Sequence, residues 1–249
     1  MSGGARPHYR QRRPERQLPA VYGDVGRAMS YRLVIGNKNT SSWSLRPWLA
    51  MRHAGIAFSE VDIDLRAPDA KAQILAHSPS GKVPALVVDD PAANGIVVWD
   101  TLAIIEYLAE AHPGARLWPA ESHARAVARA ISAEMHSGFR ELREHCPMDL
   151  LARTPSDALA GPVAADVRRI VAIWNDCRRR FGGAGPYLFG VFTAADAMYA
   201  PVASRFRTYI PDLGAYGDDG IAAAYVATVF AHPAMREWEA AASAKRAAI

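Results

Sequence analysis

The apolar rhythm of the chain changes twice. Over residues 1–29 there is none: Gly, Pro, Gln and Arg with few apolar positions predict a disordered leader. From Tyr31 to His112 strand-like and helix-like patterns follow one another. Residues 31–36 form an apolar run closed by Gly36, as a buried strand requires. Residues 45–53 follow as a helix entered through Ser41-Ser42-Trp43-Ser44, with Pro47 expected in its first turn, where a missing N–H does no harm. Residues 58–65 alternate with period two and predict a second strand, and 69–76 predict a short helix. Residues 83–88 and 95–98 read as two strands around the turn-rich 89–94, which suits a hairpin. A helix over 101–111 opens at Asp100 and carries Ile104, Ile105 and Leu108 on one face. The order βαβαββα implies a mixed sheet, with a parallel crossover first and an antiparallel hairpin after it.

From Ser122 onward the strand signals stop. Ala, Arg and Glu with 3.6-residue apolar spacing predict helices near 122–145, 163–181, 194–209, 221–231 and 233–246. The break falls at 113–121. The expected organisation is therefore a leader over 1–29, an α/β domain over 30–112, a linker over 113–121 and an all-α domain over 122–249.

Composition narrows the function classes. Half of the 249 residues are apolar and 22% are charged, enough for a packed core. No apolar stretch approaches the roughly 18–20 residues of a membrane helix, so no membrane span is expected. Six arginines against Glu15 and Asp24 put the whole net charge of +4 into the leader, and the remainder is neutral. A nucleic-acid partner is disfavoured accordingly. Arg12-Arg13 is followed by a polar, proline-broken stretch rather than the apolar core of an export signal, so the leader reads as an inert tail, with Met29 as an alternative start. Cys146 and Cys177 form no disulfide framework and lack metal-site spacing, which fits a reducing, cytoplasmic setting and no metal.

Three short segments carry candidate chemistry. Ser41-Ser42-Trp43-Ser44-Leu45-Arg46-Pro47 joins a strand to a helix, and a serine there is either an N-cap or a hydroxyl at the positive end of the helix, where an anion is stabilised. Ser78-Pro79-Ser80-Gly81-Lys82-Val83-Pro84 opens a strand with a proline, which reads as a trans proline in a loop or as a cis Val83–Pro84 bond that frees the Val83 backbone. Trp99-Asp100-Thr101 opens a helix, where Asp100 is an N-cap or the receiver of an ammonium group.

Taken together and in this order, the segments resemble the cytosolic glutathione transferase family from Tyr31 to about Ala240. Ser78–Leu86 is similar to the signature before its cis-proline strand, and Asp100-Thr101 to the pair that holds the γ-glutamyl group of glutathione. Phe192-Thr193-Ala194-Ala195-Asp196 resembles the structural capping box of its helical half, with no catalytic role. The fold so implied is a thioredoxin-like domain followed by an all-helical domain. Ser41-Ser42-Trp43-Ser44-Leu45-Arg46 is similar to the Ser-Ser-Cys-Ser-x-Arg segment of the zeta class, which puts the catalytic serine at Ser41 with Ser42 as the fallback. Trp43 stands where that class has a cysteine, and an indole forms no mixed disulfide with glutathione.

The resemblance implies glutathione as co-substrate, thiolate attack on a small hydrophobic electrophile, and a homodimer. It also implies a backbone contact from Val83-Pro84 to the cysteinyl moiety, a γ-glutamyl site at Asp100 and Thr101, and further contacts from Lys71 and Lys82. Candidates for the electrophile site by position are Trp43, Met135, His136, Phe139 and Arg205, although Met135 and Phe139 stand i, i+4 and equally suit a core, and a single histidine equally suits a structural role. Two other functions share the scaffold: a glutathione-dependent isomerase of zeta type and a non-catalytic interaction protein.

Overall fold

The computed structural model describes Met1 and residues 29–90, 95–156 and 159–247. The leader expected over 1–29 and the turn within 89–94 therefore lie largely outside the described residues. Four strands form one sheet: β1 (Ser30–Ile35), β2 (Ser59–Asp62), β3 (Ala85–Asp89) and β4 (Ile96–Trp99), in the order β2-β1-β3-β4. β1 pairs parallel to β2, with Val34 opposite Val61, and antiparallel to β3, with Leu33 opposite Leu86. β3 then pairs antiparallel to β4, the expected crossover followed by a hairpin. Helices α1 (Ser42–His53), α2 (Ala70–Leu75) and α3 (Thr101–Ala111) complete this half. The second half is helical: α4 (Ser122–Ser137), α5 (Arg140–His145), α6 (Gly161–Phe181), α7 (Ala194–Tyr209), α8 (Ile221–Ala231) and α9 (Pro233–Ala247). Among the described residues no helix is long and apolar enough to cross a membrane.

Two departures from the sequence pattern matter for the site. α1 begins at Ser42, three residues earlier than the apolar spacing predicts, so Pro47 sits inside the helix. Proline has no N–H to give the carbonyl four residues back, which here belongs to Trp43. The Thr101 hydroxyl donates to that carbonyl at 3.0 Å, and the Arg46 side chain donates to the Ser42 carbonyl at 2.9 Å. The early start thus works because two other side chains serve the carbonyls of the first turn.

The helix expected over 122–145 is two helices. Gly138 and Phe139 interrupt it, Phe139 taking the left-handed conformation at φ 54°. The chain then restarts as α5, where the Leu142 N–H donates to the Asp166 carboxylate at 3.0 Å.

One continuous apolar core joins the halves, with α1 packed on α7 and Trp48 against Trp238 at 4.9 Å between ring centroids. Burying such a side chain stabilises by roughly 1.5–3 kcal/mol. Polar ties cross the same seam. The Arg46 Nε donates to the Met198 carbonyl at 2.8 Å, and Trp238 Nε1 in the last helix donates to the Lys38 carbonyl at 2.7 Å. His53 at the end of α1 meets His232 at the start of α9, 3.1 Å apart. The expected capping box is present at the start of α7. The Thr193 N–H and hydroxyl donate to Asp196 at 2.8 and 3.1 Å, and Leu188 N–H and the Tyr225 hydroxyl occupy its other oxygen. Burial pushes this carboxyl up to about 6, against the four hydrogen bonds that favour its ionised form.

Candidate active site

The loop leaving β1 is fastened from below. The Ser41 hydroxyl donates to Ser44 Oγ at 2.8 Å, and Ser44 Oγ accepts the Gly36 N–H at 3.1 Å. Gly36 allows this closeness, because a Cβ there would lie 2.6 Å from the Leu65 side chain. Ser41 occupies the N-cap position of α1 yet its side chain caps no helical N–H. The next hydroxyl along, Ser42, lines a cavity and has no hydrogen bond among the described residues. Two of the three loop serines are therefore structural ties, and Ser42 is the hydroxyl that faces open space. Of the two serines expected as catalytic, Ser41 is thus tied to Ser44 and Ser42 lines the cavity.

Two cavities meet at Trp43. The larger, about 580 Å3, brings together Lys82, Val83, Pro84, Asp100 and Thr101, along with His136 and the unanticipated Ser80 and Trp99. The Val83–Pro84 bond is cis, and β3 accordingly starts at Ala85. The smaller, about 320 Å3, is lined by Ser42, Trp43, Arg140, Arg143, Glu144 and Arg205. Trp43 and Arg143 face both.

Asp100 and Thr101 do more than the sequence suggests. One Asp100 oxygen accepts the N–H groups of Leu102 and Ala103 at 2.9 and 3.4 Å, so it caps α3. The other lies 3.2 Å from His136 Nε2, a residue of the helical half. Asp100 holds this pose at φ 77°, a conformation unfavourable to non-glycine residues, which the three contacts sustain. The Thr101 hydroxyl points at the Trp43 carbonyl and is buried, and with Leu102 and Ala103 donating to Asp100, the Thr101 N–H is the first-turn donor of α3 left for a ligand.

Three expected residues lie elsewhere. Lys71 is not at the cavity: its ammonium donates to the Gly81 carbonyl at 2.9 Å, made possible by a glycine at φ 61° whose Cβ would meet the lysine. Met135 and Phe139 are 0% and 7% exposed and belong to the core, Met135 from the last turn of α4 and Phe139 from the break that follows it. Of the remaining electrophile-site candidates, Trp43 and Arg205 line the smaller cavity and His136 lines the larger. His136 also packs edge-on against Trp43 at 5.2 Å.

Sequence reading missed Arg140 and Arg143. Their i, i+3 spacing placed them on one face of a single long helix, and the break at Gly138-Phe139 turns that face toward Trp43. It also used Arg46 only to set register. Arg46 is wholly buried, with its guanidinium 4.3 Å from the Trp43 ring, and burial and the nearby Arg205 and Arg143 hold its pKa well below the ordinary arginine value. For Arg205, burial and then Arg143 bring it down to about 10.

The larger cavity thus presents a helix N-terminus with a carboxylate beside it, next to the half-buried Val83 that precedes the strand. The smaller presents a hydroxyl at another helix N-terminus, an indole and several guanidinium groups. The arrangement suits a zwitterionic ligand whose reactive end reaches Ser42, with a second reactant arriving from the arginine side.

Known proteins are similar to this chain in sequence and in fold. A family model described as glutathione S-transferase, N-terminal domain, matches residues 40–111, and one described as glutathione S-transferase, C-terminal domain, matches residues 125–241. A probable maleylacetoacetate isomerase of Caenorhabditis elegans is 38% identical over 114 residues, 46% of this chain and 50% of that protein. The maleylacetoacetate isomerase of Rhizobium meliloti is 35% identical over 125 residues, 50% of this chain and 55% of the relative. The chain therefore spans about half the length of these curated relatives. Among solved structures, a glutathione transferase homologue from Burkholderia with bound glutathione superposes with a TM-score of 0.61 at 20% identity, covering 86% of this chain and 98% of that one. That likeness is one of fold. With both halves matched by the two domain models in the expected order, the chain belongs to the glutathione S-transferase family.

Proposed function

We propose that the protein is a glutathione-dependent enzyme that joins the glutathione sulfur to an electrophile held in the smaller cavity. The observation that carries this reading is the unpartnered Ser42 hydroxyl at the N-terminus of α1, in the smaller cavity and next in sequence to Trp43, which faces both cavities. Glutathione fills the larger cavity. Its γ-glutamyl carboxylate takes the Thr101 N–H at the start of α3, and its ammonium group takes Asp100. The Val83 backbone beside Pro84 pairs with the cysteinyl unit, Lys82 reaches a carboxylate, and the sulfur is directed at Ser42. No metal enters this scheme. The homodimer of the family is part of the same reading, as is a cytoplasmic location.

Magnitudes favour a serine acting without a general base. Lowering a thiol pKa by two units from about 8.5 needs about 2.7 kcal/mol of preferential thiolate stabilisation. A hydrogen bond to a charged group contributes about 1.5–3 kcal/mol and an uncapped helix N-terminus about 0.3–1 kcal/mol. The thiolate then attacks an electrophilic carbon, a C–S bond forms, and the leaving group departs with its electron pair. The electrophile meets Trp43 as its apolar surface, and the rest of the smaller cavity is polar.

Ser42→Ala tests the assignment. The thiol pKa of bound glutathione, read from thiolate absorbance, should rise by about one to two units and turnover should fall, with little change in glutathione affinity. Ser41→Ala should act less on the thiol and more on stability, because it unties the loop from Ser44. An unchanged thiol pKa in the Ser42 variant sinks the reading.

The names of the curated relatives favour a second reading, isomerisation. There the thiolate adds to a conjugated cis double bond, its electrons pass to the adjoining carbonyl as an enolate, the new single bond rotates, and elimination returns the thiolate. Recovery of all added glutathione alongside isomerised product marks this course, whereas conjugation consumes glutathione mole for mole. Failure to bind glutathione at all leaves the interaction-protein alternative.

A further inference from the structure

Arg143 and Arg205 line the smaller cavity, Arg46 lies buried against Trp43 of its wall, and no free carboxylate answers the three. Arg46 is 0% exposed, donates only to the Met198 and Ser42 carbonyls, and has one terminal amino group buried without a partner. Arg205 lines the cavity and is 4% exposed, and its hydrogen bonds at 2.9 and 3.2 Å go from Nε and one terminal nitrogen to the carbonyls of Cys146 and Pro201, leaving the other terminal nitrogen without one. Arg143 makes no hydrogen bond or ion pair among the described residues, and its Nε is buried and unpartnered. The one acid on the wall, Glu144, is engaged by Arg140 at 2.7 Å.

Carbonyl dipoles satisfy geometry but do not cancel charge. A buried cation without a counter-charge is strongly unfavourable, and three close together repel one another. Trp43 attends two of them, its ring 4.3 Å from the Arg46 guanidinium and 5.5 Å from that of Arg143, which moderates the repulsion by cation–π attraction without neutralising it. Free guanidinium edges match the paired oxygens of carboxylates and phosphates. The unpartnered Ser42 hydroxyl adds a neutral donor in the same space.

We propose that the smaller cavity is a seat for a small oxyanion, clasped between Arg143 and Arg205 with Arg46 contributing charge from beneath Trp43. The space of about 320 Å3 accommodates such a group with a short organic body attached. The seat rests on the arginines alone and not on the glutathione reading. Its occupant has one chemistry and two possible origins: the carboxylate of an electrophile, or a free inorganic ion that the folded chain retains as a counter-charge.

Thermal unfolding of the full chain without glutathione separates them. Inorganic phosphate, titrated at constant ionic strength against sodium chloride, should raise the melting temperature by several degrees, saturably. A short dicarboxylate forms the second arm. A shift with the dicarboxylate supports the seat and marks it as a place for substrate, and a shift with phosphate alone supports it as a counter-ion site. Arg143→Met should abolish the shift while leaving the ligand-free melting temperature no lower, because a repelling charge is removed. Arg205→Met should also abolish it, and Arg205 does not line the larger cavity, so this variant assigns the ion to the smaller one. Arg179→Met, at an exposed pair with Asp219, should retain the full shift. No shift with either anion, or a full shift in Arg143→Met, overturns the proposal.

Discussion

Pro47 fits inside a helix because of a threonine more than fifty residues away. Its ring removes the N–H that the Trp43 carbonyl would accept, and Thr101 supplies the replacement donor from the start of α3. Thr101→Val keeps shape and withdraws the proton, leaving a buried carbonyl unserved. Denaturant unfolding should report a loss of about 1–3 kcal/mol, with Trp43 fluorescence altered at the same time. The sequence pattern placed Pro47 in the first turn, since nothing local to residues 41–47 betrays a donor from α3. Equally unreadable from adjacent residues is the tie from Ser41 to Ser44, which draws the Ser41 proton inward. Val83-Pro84 and Asp100 were legible, since a cis-prolyl strand opening and a helix N-cap are written in adjacent residues. Lys71 was not, because its partner is a carbonyl ten residues on.

At the scale of elements, the halves and the order of their strands followed from period two giving way to period 3.6, which is a property of each face and needs no partner. Breaks inside a periodic run are harder to read. The apolar spacing from Ser122 to His145 continues through Gly138-Phe139 as though the helix did, and the interruption depends on Asp166, in α6, taking the Leu142 N–H. That interruption carries Arg140 and Arg143 to the smaller cavity, so misjudging it hid half of the wall. Gly138 is the pivot, for a Cβ on it would stand 2.7 Å from the Glu134 carbonyl oxygen. Gly138→Ala should cost about 1–3 kcal/mol in denaturant unfolding, as backbone displaced by overpacking does, and should weaken any anion effect through Arg143.

Across the whole molecule the halves are joined by a titratable contact. His232 caps α9 by accepting the Ala234 N–H at 3.2 Å on Nδ1, so it is neutral and directs Nε2 at His53. Phe192 packs against both rings, and burial, then the neighbouring His53, brings the pKa of His232 from 6.5 down to about 4. Burial lowers His53 as well. The unfolded chain accepts the proton near the ordinary imidazole value and the folded chain only near 4, so unfolding is increasingly favoured as pH falls between those values. Stability is full above about pH 6.5 and should decline by on the order of 1–3 kcal/mol toward pH 4. His232→Asn retains an N-cap acceptor and does not titrate, and urea unfolding across this range should show most of the slope gone.

The hydrogen bond from Trp238 to the Lys38 carbonyl has a consequence in time. Lys38 belongs to the loop that presents Ser42, and Trp238 lies in α9, two hundred residues later. A nascent chain can assemble β1, β2, β3 and β4 while the ribosome is still making the helical half. Its loop gains this tie only after α9 has left the exit tunnel, so Ser42 is fastened in place after the sheet that carries it and not with it.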